Sequence, residues 1–305
     1  MMSDSPVAVE RYRRLAALPL SGTTARRGAS VWGVVAPIRE IFRYREMLDL
    51  LVRRDLKARY KDSVLGFFWS MARPLMQLAI YFIVVGQFLQ AAKGIPDFAV
   101  YIFSGLTAMG LFSEILLGAT GSILGNAGLV KKVFVPRELF PLASIGSALF
   151  NFGVQLVILL LATLVVGKFP LHTQLWYAPL SLAVIVVYGA AFGILFSAWN
   201  VYLRDVQYLV ELGTMILFWA SPVVYSWQMV ASLIKSPVVL EVYTNNPLTL
   251  AVIGFQHAFW VAGDGYAQPT ELWLRLTISL GVGVVILFAS HRVFLRLQGN
   301  FAQEL

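Results

Sequence analysis

Cysteine is missing from all 305 residues. The chain therefore has no disulfide, no thiolate metal ligand, no thiol nucleophile and no palmitoylation site. Charge is scarce too: Asp, Glu, Lys and Arg make up 13% of the sequence, about half the share usual in a soluble domain. No G-x-x-x-x-G-K-[ST] stretch occurs, which excludes a phosphate-cradling loop of that kind. No D-x-D pair is present to hold a metal–nucleotide sugar. His172, His257 and His291 lie far apart without spaced carboxylate partners, and each reads as a hydrogen-bonded packing residue. No Ser-His-Asp constellation or carboxylate pair stands out, and the acids within apolar runs are too few for a proton relay. The chain is expected not to be an enzyme, and to hold no metal or cofactor of its own. The first 30 residues are expected to carry no secretory signal, because they contain no apolar run of the needed length.

What the chain has is apolar length. Hydrophobic residues make up 58% of it and the mean hydropathy is +0.73. This is the composition of a polytopic membrane protein. A spanning helix needs about 20 mostly apolar residues, and six stretches qualify: Phe67–Leu89, Phe98–Leu117, Leu139–Val166, Trp176–Trp199, Tyr208–Tyr225 and Leu272–Phe294. The third must tilt or protrude and the fifth is short. The stretch from Ser226 to Phe259 is broken by Pro237 and Pro247. It reads as re-entrant or interfacial half-helices, tolerated where protein or water satisfies the freed backbone groups. The expected fold is an all-α six-span bundle with an amino-terminal amphipathic interfacial helix and re-entrant half-helices before the last span. Residues 1–38 would be a flexible cytosolic tail, 39–62 the interfacial helix, 63–294 the six-span domain and 295–305 a second cytosolic tail.

The net charge of +8 does not point to nucleic acid, because 13 of the 24 Lys and Arg precede Gly66, beside the first apolar run. Basic residues flanking a span stay in the cytosol and meet anionic lipid heads. With the amino terminus inside, 19 basic residues fall on the cytosolic side and 4 outside, Arg73 being counted apart. Both termini are therefore expected in the cytosol of a cell whose inner membrane the chain crosses.

From Arg39 to Lys61 the pattern is helical. Ile41, Tyr44, Leu48, Leu51, Val52 and Leu56 share a stripe, with most charges opposite. Asp49–Arg53 and Asp55–Arg59 are acid-before-base pairs four apart. Such a helix lies in the interface plane, unless it packs on a partner. Arg73, Glu114 and Glu211 sit inside apolar runs, each near the cytosolic end of its span. Either Arg73 pairs with one of the acids or each reaches separately to water.

Four ordered segments resemble the permease subunits of ABC-2 type polysaccharide exporters, the branch that moves O-antigen, teichoic acid and capsule chains. The first runs from Arg59 to Tyr81 and holds Arg59-Tyr60-Lys61, Leu65-Gly66, Trp69-Ser70 and Pro74-Leu75. The second is Asn126 to Ala143, the third Asn200 to Ser226 with Arg204-Asp205 and Ser221-Pro222-Val223, and the fourth Asn245 to Trp260. Arg73 stands where the family often has an uncharged residue, and the first 30 residues have no counterpart in it. The chain also resembles the actinobacterial branch associated with lipid-linked galactan.

The resemblance implies a half-transporter. A second copy of the chain and two ATP-binding cassette subunits would be its partners, with ATP and magnesium held by those subunits. Leu129, Lys131, Lys132, Val133, Phe134, Pro136, Arg204 and Asp205 would carry coupling to the ATPase. The implied cargo is a glycan on a polyprenyl diphosphate, moved to the outer side. Arg53, Arg54 and Arg59 would meet the diphosphate, with Tyr60, Lys61 and Gly66 forming the gate. A glycan path needs faces that slide along sugars, and aromatic rings provide them. Trp69, Tyr81, Phe88, Phe112, Trp199, Phe218, Trp219 and Tyr225 are the expected lining, Phe82 and Phe196 being further aromatics of the spans. Each of these also fits an interfacial belt or plain packing. Two other functions fit less of the pattern: an ABC-2 drug or lipid exporter, and a polyprenyl-dependent glycosyltransferase, for which the first outer loop offers only Asp97.

Overall fold

A computed structural model describes residues 43–60, 68–88, 90, 94–132 and 135–305. The expected tail 1–38, together with Lys61, Gly66, Val133 and Phe134, lies outside the described residues, as do the side chains of Tyr60, Trp69 and Arg73.

Among the described residues the regular elements are all helices, without a strand. In chain order they form α1 (Arg45–Tyr60), α2 (Phe68–Ile80) continuing as π-helix over Tyr81–Phe88, α3 (Phe98–Gly125), α4 (Ala127–Lys132) and α5 (Leu139–Val165). A 3-10 turn, Thr173–Trp176, leads into α6 (Tyr177–Tyr202), followed by α7 (Val206–Trp219) and three short helices, α8 (Trp227–Leu233), α9 (Pro237–Thr244) and α10 (Pro247–Phe259). α11 (Leu272–Leu297) and α12 (Phe301–Glu304) complete the chain.

Four helices among the described residues are long and apolar enough to cross a membrane: α3, α5, α6 with its 3-10 turn, and α11 with its continuation. The pair α9–α10 passes the same test together but bends by 73°. Pro74–Phe88 and α7 are shorter apolar helices. In the fifth expected span, Tyr208–Tyr225, the helix α7 ends at Trp219 after 14 residues, about 21 Å at 1.5 Å per residue, and residues 220–225 follow as a turn. The second expected span is longer than its apolar run, because α3 continues past Leu117 to Gly125.

The breaks follow local chemistry. Pro237 and Pro247 occupy first-turn positions of α9 and α10, where a missing N–H costs nothing. Asn246 caps α10 by accepting from the Leu248 N–H at 3.0 Å. Ser226 does the same for Met229 at 3.2 Å.

α6 is the hub, packed against α3, α10 and α11. Gly189 and Gly193, four apart on α6, permit that approach to α3. A Cβ at these positions would lie 2.8 Å from Ile115 Cγ2 and 2.7 Å from Ala119 Cβ, respectively. Small residues at this spacing are how membrane helices gain close van der Waals contact.

The bundle has two distinct ends. One gathers α1, α4, the 203–205 turn and the C-terminal residues, tied together by Arg54 Nη2 donating to Asn126 Oδ1 at 2.6 Å and Tyr202 Oη donating to the Leu297 carbonyl at 2.8 Å. The other gathers the loop at 94–97, the segment before α6, and residues 258–266. There Trp260 Nε1 donates to the Pro96 carbonyl at 2.6 Å and Lys168 pairs with Asp97 at 2.8 Å. The first end is basic. The second carries Lys168, Lys235 and Arg275 together with Asp97, Glu241, Asp264 and Glu271, so its charges of the two signs nearly balance.

Candidate functional site

An aromatic seam forms where α7 stops. Pro222 cannot continue a helix and biases Ser221 away from helical geometry, so the chain leaves α7 at Trp219. The carbonyl of Pro222 accepts from Gln256 Nε2 at 2.9 Å and Tyr101 Oη at 3.2 Å. Tyr101 Oη also donates to the Tyr225 carbonyl at 2.8 Å. The turn is therefore tied to α3 and α10 in addition to its own hydrogen bonds, such as Val223 N–H to the Ser221 carbonyl at 2.8 Å.

This turn and the π-helical end of α2 bring rings together. The ring of Tyr81 lies 6.0 Å from that of Phe218, and Phe218 lies 5.4 Å from Trp219 at 87°. Tyr225 Oη donates to the Trp219 carbonyl at 2.6 Å, and Tyr243 Oη donates to Tyr225 Oη at 3.4 Å. Four of the eight sequence-selected aromatics thus meet: Tyr81, Phe218, Trp219 and Tyr225. Phe88 is exposed at the end of the π-helix. Phe112 and Trp199 lie elsewhere, lining an apolar groove between α6, α7 and α11. Sequence reading missed Tyr243, Tyr101 and Gln256. Their only signal was a polar group inside an apolar run.

At the basic end, α1 rests on α5. Leu51 is buried and Val52 faces Gly146, where a Cβ would come within 2.8 Å of Val52 Cγ2. Tyr44, Met47 and Leu48 pack on the same cluster, with Val130, Leu139, Phe140 and Phe301. Much of the apolar stripe on α1 is therefore covered by protein. Of its two expected ion pairs, Arg53–Asp49 forms at 2.8 Å. In place of Asp55–Arg59, Asp55 takes Arg54 at 2.7 Å and Arg59 Nη1 reaches Glu114 Oε1 at 2.7 Å. Asn151 Nδ2 donates to the same Glu114 oxygen. Because α3 runs on to Gly125, Glu114 sits about 16 Å from that helix end, rather than near it as expected from the shorter apolar run. Glu211 accepts from Gln207 Nε2 at 3.4 Å, within α7.

The residues expected to couple to an ATPase share that end. Lys131 and Lys132 close α4 and are exposed, as are Arg204 and Asp205 in the turn between α6 and α7. Leu129 and Pro136 are half-buried beside them. Asn200 pins the turn: its Nδ2 donates to the Thr120 carbonyl and its Oδ1 accepts from the Gln207 N–H, both at 3.2 Å.

At the opposite end Arg275 forms a clasp. Its Nη1 and Nη2 donate to the two carboxylate oxygens of Glu241, and Nη1 also donates to Asn245 Oδ1 at 2.9 Å. This fork joins α11 to α9, adjoining the bend into α10, and sequence reading did not find it.

Known proteins share this layout of sequence. The family described as ABC-2 type transporter matches residues 47–260. An O-antigen export system permease protein RfbA of Klebsiella pneumoniae is 26% identical over 260 residues, covering 85% of this chain and 95% of its own. Its namesake in Myxococcus xanthus is 28% identical over 269 residues, covering 88% and 98%. The polysialic acid transport protein KpsM of Escherichia coli is 24% identical over 153 residues, covering 49% and 58%. With its matched region reaching from α1 to the end of α10, the chain belongs to the ABC-2 type transporter family.

Proposed function

We propose that the chain is the transmembrane half of an ATP-driven exporter that moves a polyprenyl-diphosphate-linked polysaccharide out of the cytosol, with galactan as the specific cargo to test first. The observation that carries this reading is the near-complete coverage of two O-antigen export permeases, at 95% and 98% of their lengths. In this reading the chain crosses the inner membrane six times, with α2 and α7 completing the count. Both termini lie in the cytosol, as the excess of Lys and Arg at the α1 and α4 end supports.

Two copies would pair, each docking one ATP-binding cassette subunit that holds ATP and magnesium. The exposed Lys131, Lys132, Arg204 and Asp205 offer that subunit a shared cytosolic surface. A polyprenyl tail carries tens of methylenes at about 0.8 kcal/mol each and stays in the bilayer. The glycan must therefore pass along protein. The seam of Tyr81, Phe218, Trp219 and Tyr225 supplies apolar ring faces with phenol and indole handles, a surface suited to sugars whatever their hydroxyl pattern. Arg53 and Arg54 lie on the exposed side of α1, where a guanidinium fork suits diphosphate oxygens.

The test is ATP hydrolysis by the chain co-purified with the ATP-binding subunit encoded beside it, in lipid discs, with and without lipid-linked glycan. A stable assembly whose hydrolysis responds to the glycan lipid is the expected result. If no such subunit associates, and Gln at Lys131, Lys132 and Arg204 leaves glycan export unchanged in cells, the proposal fails.

A further inference from the structure

The groove holding Phe112 and Trp199 has a volume of about 670 Å³, within the range that takes one elongated small ligand. Its floor is a ladder of rings on one face of α6. Tyr188, Phe192, Phe196 and Trp199 follow one another at centroid distances of 6.3, 5.9 and 5.7 Å. The ladder covers 11 residues of rise, about 16 Å, which is about half of a 30 Å hydrocarbon core. It begins near the middle of α6 and ends at Trp199, close to the helix end. The groove is thus one leaflet deep.

The lining contains no charged side chain, and the Tyr188 hydroxyl and the Asn246 side chain are engaged elsewhere. Tyr188 Oη donates to the Ser279 carbonyl at 3.1 Å, leaving only its ring to the groove. The Asn246 side chain caps α10. Leu209 and Val282 are exposed at the open side, between α7 and α11.

Gly213 lines the groove in the interior of α7, and a Cβ there would meet nothing within 4 Å, so a larger side chain would take up groove space. The charge at the surface end bears on what occupies it. Arg204 sits in the turn between the lining residues Trp199 and Val206, exposed and without an ion pair among the described residues. A phosphodiester at headgroup level would find that cation beside it.

We propose that this groove is a structural lipid site, holding one acyl chain of a membrane phospholipid from the leaflet at the 203–205 turn, with the headgroup beside Arg204. The lipid would complete the packing of α7, which touches α6 sparsely. The inference needs only that these helices cross a bilayer, and it stands apart from the identity of the cargo.

The test is native mass spectrometry of the full chain reconstituted in discs of phosphatidylglycerol and phosphatidylethanolamine, then exchanged into detergent. One phospholipid per chain is expected to survive in the unaltered protein and in Gly153→Leu, whose side chain enters open space outside the groove. Gly213→Leu, which fills the groove, is expected to lower occupancy about tenfold, equivalent to losing roughly two buried methylenes. Val282→Trp, which narrows the mouth, serves if Gly213→Leu melts early. Complete loss of phospholipid from the unaltered chain overturns the proposal. So does equal retention by the filled variants, or a retained polyprenyl lipid or second copy in place of phospholipid.

Discussion

Arg59 Nη1 lies 2.7 Å from Glu114 Oε1, joining the last turn of the amphipathic helix α1 to the middle of α3. Asn151 of α5 donates to the same carboxylate oxygen. One acid inside an apolar helix therefore holds three elements together. A charge at such a depth is costly unless paired, and here the partner arrives from the surface helix. Whatever moves α1 must first break this pair.

The pair is expected to behave as a coupled unit. Arg59→Gln and Glu114→Gln should each lower thermal stability, and a double-mutant cycle should return a coupling of about 0.5–1 kcal/mol, the range for pairs with access to water. Reversing both charges should recover part of the loss. Strict additivity in detergent-solubilised protein would show that the two act separately.

Gly146→Leu should lift α1 from α5, because its Cβ alone would come within 2.8 Å of Val52 Cγ2. The absence of native cysteine makes the readout clean. A cysteine introduced at Leu51, which is 5% exposed, should resist maleimide in an otherwise unaltered chain. It should react once Gly146→Leu is added. Equal labelling in both backgrounds would mean that α1 is already mobile.

Tyr101→Phe should destabilise the seam by about 1–2 kcal/mol, since it deprives the Tyr225 carbonyl of its donor and leaves Pro222 with Gln256 alone. The measurement is thermal unfolding followed by the exposed Trp219 and its neighbours. Trp219→Ala should leave stability within about 0.5 kcal/mol, as a surface change does. If the seam carries glycan, that variant should still slow export in cells. Unchanged export in Trp219→Ala and Tyr225→Ala together would remove the seam from the path.

Arg275→Met should loosen the bend between α9 and α10, because it breaks both arms of the fork to Glu241 and the contact to Asn245. Proteolysis near residues 234–246 should quicken. Arg275→Lys should fall between the two, since an ammonium cannot reproduce the planar fork. Identical cleavage rates in all three proteins would show that the clasp is incidental.

Much of the helical plan was legible in the sequence, and the particulars show why. The proline breaks at Pro237 and Pro247 were readable because a missing N–H acts locally. The starts of α3, α5 and α11 were readable because apolar runs of spanning length have few other uses. The end of α3 was not. In its last turns Ala119, Thr120, Ser122 and Ile123 are buried against neighbouring elements, and burial replaced the bilayer as the reason for being helical. Likewise the stripe on α1 signalled an apolar face correctly, but the sequence did not say whether lipid or α5 would cover it.

What the sequence determined by itself was the solvent: long apolar runs, basic flanks and broken helices specify a chain built for a bilayer, because hydropathy and backbone hydrogen bonding are properties of short segments. What only the tertiary structure decided was partnership. Arg59 found Glu114 across 55 residues rather than Asp55 one turn away, Tyr81 met Phe218 while Phe112 joined a separate groove, and Arg275 closed on Glu241. Those choices depend on how helices cross and how closely glycines let them approach, and such geometry belongs to the assembled bundle rather than to any single segment.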